Sequence, residues 1–382
     1  MPLHIYVPDD HGATEVLAVS GDAVAVRPRR WPGDTYPSLW FWFAVRNDTN
    51  SAAPAARIEV RELRPGADSY EPFWKHCLWS RDGEAWERIP DGCQSFGETT
   101  LRIDAPLAVG ETVWVAATFP LSYAGCAARS AAWQQPAPSG LTLERREFGR
   151  SVEGRPLEAF HIRRPGAAPE HQFVIVAGQH AVEQTGKLFA RVVLDGYHSG
   201  AFANTPMAAL LEQWAVTVVP LANPDGCAHG RMNTNAAGVV VDDPADDSVE
   251  TRALLGLLDE LQPRVLVNCH GWGNEQGAPP YEDLYRWTDE DPLFAWLRAR
   301  VPGCNSSSAA HWLADRFRLE CHVRPRYGTE CVITEQNWNW YVPPSGGPPR
   351  HPTRADLEVR VVEYFTEMAC FCLHGKGADA AL

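Results

Sequence analysis

One change of apolar patterning divides the chain and limits what it can fold into. Up to about residue 135 the apolar residues come in short runs, SLWFWFAVRN, RIEVREL, CLWSRDG, TLRIDA and ETVWVAATF, separated by Asn, Asp, Gly and Pro. Aromatic and β-branched runs at that spacing imply hairpins packed as a β-sandwich. The stretch AAWQQPAPSG, residues 131–140, has Pro, Gly and small polar residues without periodicity, and marks a domain boundary. Beyond it, apolar runs of strand length alternate with helical ones, which is how an α/β layered sheet reads. The strand candidates there are LEAFHI (157–162), FVIVAG (173–178), AVTVVPL (215–221), RVLVNCH (264–270) and CVITEQ (331–336). Val249, Ala253, Leu254, Leu257, Leu258 and Leu261 repeat at helical spacing, with Asp247 and Glu250 placed as a capping pair. A last helix from about Arg354 carries Leu357, Val361, Phe365 and Met368 on one face. The domains expected are an all-β sandwich over 1–135 and an α/β domain over 141–376.

A chain of 382 residues, 45% hydrophobic, is long enough for two such cores. Its formal charge of -14 repels phosphate backbones and anionic membrane surfaces, which argues against nucleic-acid and membrane partners and favours neutral or cationic ligands. The start, MPLHIYVPDD, has no basic segment followed by an apolar stretch, and no window of the chain is apolar enough to span a bilayer. A soluble, cytoplasmic protein is expected. The ten cysteines show no CxxC pairing and read as reduced, mostly buried thiols. Nothing in the sequence sets the oligomeric state.

Three metal-ligand candidates fall at ends of the expected strands, where an α/β sheet brings distant residues together. His180 and Glu183 follow FVIVAG, on a turn where residues three apart can face one point, and His270 closes RVLVNC. Two imidazoles and a carboxylate leave a fourth position open, the arrangement of a catalytic rather than a structural zinc. HxxE alone is a short motif, and a strand-end histidine can equally be a hydrogen-bonded polar residue.

Further matches follow in order. From about Gly149 onward the chain resembles the zinc carboxypeptidases of the funnelin type, through GRSVEGRPL, the His180/Glu183 pair, the turn Asn223 to Gly226, GRMN at 230–233, VNCHGW with His270, and VITEQNW with Glu335. The N-terminal half is similar to the β-domain that precedes the catalytic domain in cytosolic carboxypeptidases, through SLWFWFAVRN, WSRDGEAW and ATFPLSYAG. The resemblance implies a mixed eight-stranded sheet flanked by helices, one Zn2+ per chain held by His180, Glu183 and His270, and hydrolysis of an amide bond. Glu335 would be the general base and Arg231 the donor to the oxyanion. Glu330 begins the same strand, but residues five apart on a strand point to opposite faces, which favours Glu335, nearer the loop. Tyr327 is the nearest match to a substrate-lining tyrosine ahead of the base.

One family feature is missing. Gly-x-Asp-Leu-Asn-Arg, whose Asn-Arg pair clamps a substrate carboxylate, is replaced by GVVVDDPADD, and no Arg or Lys lies between Arg231 and Arg252. A planar bidentate grip on a carboxylate therefore has no local donor. The expected substrate is a small peptide or amino-acid conjugate with a neutral or cationic end held by Asp243, with Asp242 either beside it or orienting a zinc histidine. Two other readings stay open: an N-acyl-amino-acid deacylase like the desuccinylases, and a non-catalytic binding protein using the tryptophan-rich sandwich.

Overall fold

The computed structural model describes residues 3–34, 40–48, 56–63, 77–242, 247–272, 282–285, 291–302, 304–307, 318–338, 341–344, 348 and 350–374. Ten short strands come first: β1 (His4–Tyr6), β2 (Thr14–Ser20), β3 (Ala23–Pro28), β4 (Trp42–Arg46), β5 (Ala56–Val60), β6 (Leu78–Ser80), β7 (Glu87–Arg88), β8 (Gln94–Phe96), β9 (Leu101–Ala105) and β10 (Thr112–Ala116). They form two five-stranded sheets, ordered β1-β4-β10-β6-β7 and β2-β3-β5-β9-β8. Alternate residues turn inward, so Phe41, Phe43 and Val45 meet Ile58, Val60, Ile103, Val113 and Val115 in one closed core. This is the expected sandwich.

The second layer system has a mixed eight-stranded sheet built from β11 (Thr142–Arg150), β12 (Pro156–Arg163), β13 (His171–Ala177), β14 (Trp214–Val219), β15 (Val265–Trp272), β16 (Glu282–Tyr285), β17 (Cys304–Ser307) and β18 (Glu330–Asn337). Their order is β11-β12-β14-β13-β15-β18-β16-β17. The central four, β14, β13, β15 and β18, are parallel. They are covered on both faces, which is why FVIVA and WAVTVV are continuous apolar runs instead of alternating ones. The helices are α1 (Tyr123–Trp133), α2 (Gln184–Ser199), α3 (Pro206–Leu210), α4 (Pro224–His229), α5 (Val249–Leu261), α6 (Pro292–Arg300), α7 (Arg318–Tyr327) and α8 (Arg354–His374). One face of the sheet packs against α2, α3, α6 and α8 through Phe189, Leu210, Phe294 and Phe365. The other meets α5 and α7 through Leu254, Leu257, Leu258, Leu319 and Val323.

Two details differ from the sequence expectation. Helix α1 packs on the α/β layer, with Trp133 in its core and Arg129 and Trp133 both bonded to Asp195 of α2. The sandwich strands therefore end before residue 135, and that helix belongs to the neighbouring layer. The cap of α5 is Ser248, whose Oγ accepts from Thr251 N at 3.0 Å; Glu250 is instead buried, accepting from Asn235 Nδ2 at 2.8 Å. The nine cysteines with described side chains are all free, five of them buried. No described helix is long and apolar enough to cross a membrane.

The two domains are fastened beside the loop that carries His180. His11, buried and held at φ 67°, donates its main-chain N–H to Ala228 O at 2.7 Å and accepts the Trp40 indole N–H on its carbonyl at 2.6 Å. Its ring lies 2.6 Å from Cys227 O through Nδ1 and 3.0 Å from Gln184 Nε2 through Nε2. Lys187 is equally buried, and its Nζ donates to Leu121 O at 2.8 Å and Ala181 O at 2.7 Å. A buried ammonium stays in place only with such acceptors. It thereby ties the interdomain segment to the loop before α2.

Candidate metal centre

Parallel pairing decides which side chains can meet. His180 and Glu183 lie in the loop after β13, and His270 lies near the end of β15, the strand beside it. Gly186 lets the first turn of α2 lie close against β15, since a Cβ there would come within 2.4 Å of Cys269 O. Any side chain would push Glu183 away from His270. As built, Glu183 Oε1 is 2.8 Å from His180 Nδ1, and Oε2 is 2.9 Å from His270 Nδ1 and 3.2 Å from Gly271 N. The three ligand atoms all lie within 4.8 Å of one another.

The donor set fits zinc. Two ring nitrogens and a carboxylate, convergent, with Glu183 and His270 buried and His180 partly exposed, are the ligands a three-residue catalytic site uses. Asp242 stands 2.9 Å from His180 Nε2, on the far side of the ring from Glu183, where a carboxylate fixes the tautomer that presents Nδ1 inward. Burial pushes the Glu183 carboxyl upward, but the neighbouring His180 and His270 outweigh it and hold the group well below the usual range. Burial likewise disfavours charge on His180, yet Asp242 and Glu183 together raise it well above the ordinary histidine value.

Glu335 stands opposite His270 across the β15/β18 pairing. Side chains at paired positions of neighbouring strands share a face, so Glu335 projects on the side His270 does. Glu330 is paired with Val265, at the other end of the strands. Arg231 is 8% exposed and belongs to a turn fixed to the His180 loop, because Ala181 N donates to Met232 O at 2.9 Å and Asn223 Nδ2 bonds both Gln179 O and Thr234 O. The Asn-Pro-Asp-Gly turn thus joins the two loops: Asn223 caps α4, and Asp225 accepts from Ser151 Oγ, Glu153 N and Arg155. That network is also where GRSVEGRPL finds its role.

The structure separates Tyr327 from this site. It closes α7 just before β18 begins, at the opposite end of the strands from Glu335, and its hydroxyl donates to Asp259 at 2.7 Å. It is a positional mismatch and does not line the centre. Asp242 stands at the histidine-orienting place, one of the two places the sequence offered it, with Oδ2 2.9 Å from His180 Nε2. Asp243 lies outside the described residues.

A further carboxylate went unnoticed in the sequence. Glu320 on α7 is 1% exposed, and neither of its oxygens makes a full hydrogen bond. Its polar neighbour is Asn268, two residues before His270 on β15 and facing the same side. Burial pushes the Glu320 carboxyl up to about 7, against a weaker downward pull from Asn268 and His270. The signal was present in the sequence: Leu319 and Val323 mark the buried face of α7, and Glu320 falls between them on that face.

Residues 141–240 match the zinc carboxypeptidase family model, Peptidase M14. The fold is similar to a metallo-carboxypeptidase from Burkholderia cenocepacia, at 21% identity and a TM-score of 0.77 with 100% of each chain covered. It is also similar to a metallo-carboxypeptidase from Pseudomonas aeruginosa solved in complex with (2-guanidinoethylmercapto)succinic acid, at 20% identity and a TM-score of 0.76 over 96% of this chain and 98% of that one. A search of curated proteins returns no match. The family match thus covers the segment that carries His180, Glu183 and Arg231, and the fold of the whole chain is that of these metallo-carboxypeptidases. Its two-domain build runs the full length of the Burkholderia cenocepacia structure, sandwich included.

Proposed function

We propose that the protein hydrolyses an amide bond in a small peptide or amino-acid conjugate, with a cationic group on the substrate. The observation that carries this reading is the convergence of His180, Glu183 and His270 within 4.8 Å, with Glu335 paired beside His270. One zinc ion held by those three residues would supply a Lewis acid that polarises a carbonyl and brings a water's pKa toward neutrality. Glu335 then takes a proton from the attacking water and delivers it to the leaving nitrogen. Arg231 donates to the oxygen on which negative charge develops, an interaction that can contribute on the order of 3 kcal/mol in a dry site.

The substrate class follows from charge. The family's clamp arginine has no counterpart between Arg231 and Arg252, and the whole chain carries -14. Asp242 is engaged with His180, so the described carboxylate left for a cationic group is Glu320, buried without a full hydrogen bond on the side His270 faces. An ammonium brought against Glu320 would favour its ionised form and relieve the desolvation cost that keeps it neutral. The nine cysteines with described side chains form no disulfide, which fits a reducing compartment and a cytoplasmic location.

The test is metal analysis combined with a substrate panel. The parent chain is expected to bind one zinc and to cleave benzoylglycyl-lysine or its amide faster than benzoylglycyl-phenylalanine. Glu335→Gln should keep the zinc and lose at least a hundredfold in rate. Zinc-loaded Glu335→Gln that matches the parent on every substrate would remove the enzymatic reading, and faster cleavage of the phenylalanine peptide would remove the cationic one. Benzoylglycine-type acyl amino acids cleaved better than any dipeptide would favour a deacylase.

A further inference from the structure

Arg231 is held in an unusual way for a buried guanidinium in an acidic protein. Among the described residues it makes no ion pair, its Nε–H is buried without a hydrogen-bond partner, and its two other contacts are long, to Thr234 Oγ1 at 3.4 Å and Ala236 O at 3.3 Å. What faces it is the sandwich domain: the guanidinium carbon lies 4.5 Å from the centroid of the Trp31 ring. The Trp31–Asp34 turn is seated with little freedom. Gly33 has φ +87°, and a Cβ on it would come within 2.2 Å of Gly238 O, so only glycine lets this turn close on the loop after Arg231. Asp34, at the end of the turn, accepts from Met232 N at 3.0 Å, from Thr234 N at 3.3 Å and from the Thr234 hydroxyl. The Trp31 ring is flanked in turn by His229, with ring centroids 5.7 Å apart, and by Arg29 at 5.2 Å.

The chemistry of these contacts differs from that of an ion pair. A carboxylate partner would occupy two N–H donors and cancel the charge that an oxyanion needs. An aromatic face attracts the cation while leaving the in-plane N–H groups unoccupied. Asp34 is close enough to steady the charge, but its oxygens are occupied by the backbone and hydroxyl of 232–234. The turn therefore fixes the backbone that follows Arg231 and sets an aromatic face against its guanidinium.

We propose that the Trp31–Asp34 turn of the sandwich domain completes the reaction site, with Trp31 as a positioning residue that holds Arg231 ready to donate to the oxyanion. This rests on the reading of Arg231 as the oxyanion donor. It gives the N-terminal domain a part in the chemical step, distinct from any role in partner binding.

The experiment is a double-mutant cycle on the full, zinc-loaded chain with the best substrate of the benzoylglycyl series, together with binding of the matching phosphonate, which copies the tetrahedral intermediate. Trp31→Leu is expected to lower kcat about tenfold with KM within about twofold, and to weaken the phosphonate by a similar factor. Trp31→Phe should recover most of the rate, because it restores an aromatic face. In an Arg231→Ala background, Trp31→Leu should change kcat by less than about twofold. The proposal is overturned if Trp31→Leu leaves kcat at the parent value, raises KM alone, or costs the same with Arg231 absent. Arg231→Ala at the parent rate would instead remove the oxyanion reading itself. Zinc content and unfolding temperature of each variant separate these outcomes from misfolding.

Discussion

Glu183 and Glu320 are the same residue type, hidden to nearly the same degree at 3% and 1% exposed, and both within electrostatic reach of His270. Their carboxyl pKa values shift in opposite directions. Glu183 meets two imidazoles and a backbone N–H and is held ionised; Glu320 meets one amide and is pushed up to about 7. Burial alone raises a carboxyl's pKa, so the partners decide. On the proposed reading the difference divides the labour of the site: Glu183 would hold the dication and Glu320 would meet a cationic group of the substrate.

The strongest way to break this contrast is to remove the ionised member. Glu183→Gln is expected to drop zinc from one per chain to almost none and to lower the rate more than a thousandfold, read by metal analysis and steady-state kinetics. An amide that still retained stoichiometric zinc would mean that the paired carboxylate is not a ligand. Asp242→Asn comes next, with zinc affinity expected to fall about ten- to a hundredfold because the orienting contact on His180 Nε2 weakens. Competition with a chelator measures it.

Glu320→Gln sharpens the other half. It should lower kcat/KM for lysine-ended substrates about tenfold or more while leaving phenylalanine-ended ones within about twofold. In the parent chain the lysine preference should grow as pH rises through about 7, because that is where the Glu320 carboxyl ionises.

The smallest effect is on stability. A glutamate ionises near 4.5 in the unfolded chain and near 7 at Glu320 in the folded one, so between those values the folded state binds the extra proton. Its contribution is full below about pH 4.5 and is lost as pH rises through about 7. Zinc-free parent protein should therefore lose on the order of 3 kcal/mol from this group between pH 5 and 8, a loss that Glu320→Gln abolishes. Denaturant unfolding at the two pH values reads it, and equal slopes for parent and variant would show that Glu320 is already ionised.

The legible parts of the molecule are those set by period and strand order. Five α/β strands, the last helix and the sandwich runs were marked by apolar patterning, and His180, Glu183 and His270 were marked by standing at strand ends that parallel pairing brings together. Strand alternation separates Glu335 from Glu330, and in the register Glu335 pairs with His270 while Glu330 pairs with Val265.

What was not legible depends on tertiary direction. Tyr327 is close to Glu335 in sequence, but α7 runs back along the sheet and leaves it at the wrong end of β18. Helix α1 escaped notice because its buried residues, Ser130 and Trp133, are too few to print a period, while contacts with Asp195 and Glu158 hold it. Trp31 stands outside the apolar runs of the sandwich, and only the interdomain seating of Gly33 brings it over Arg231.

The central claim is that one zinc ion is held by His180, Glu183 and His270. An anomalous difference map recorded at the zinc absorption edge from crystals of the zinc-treated protein tests it most directly. The account predicts a single strong peak within bonding distance of His180 Nδ1, His270 Nδ1 and the Glu183 carboxylate. A featureless map there, or the only peak at other side chains, would contradict it.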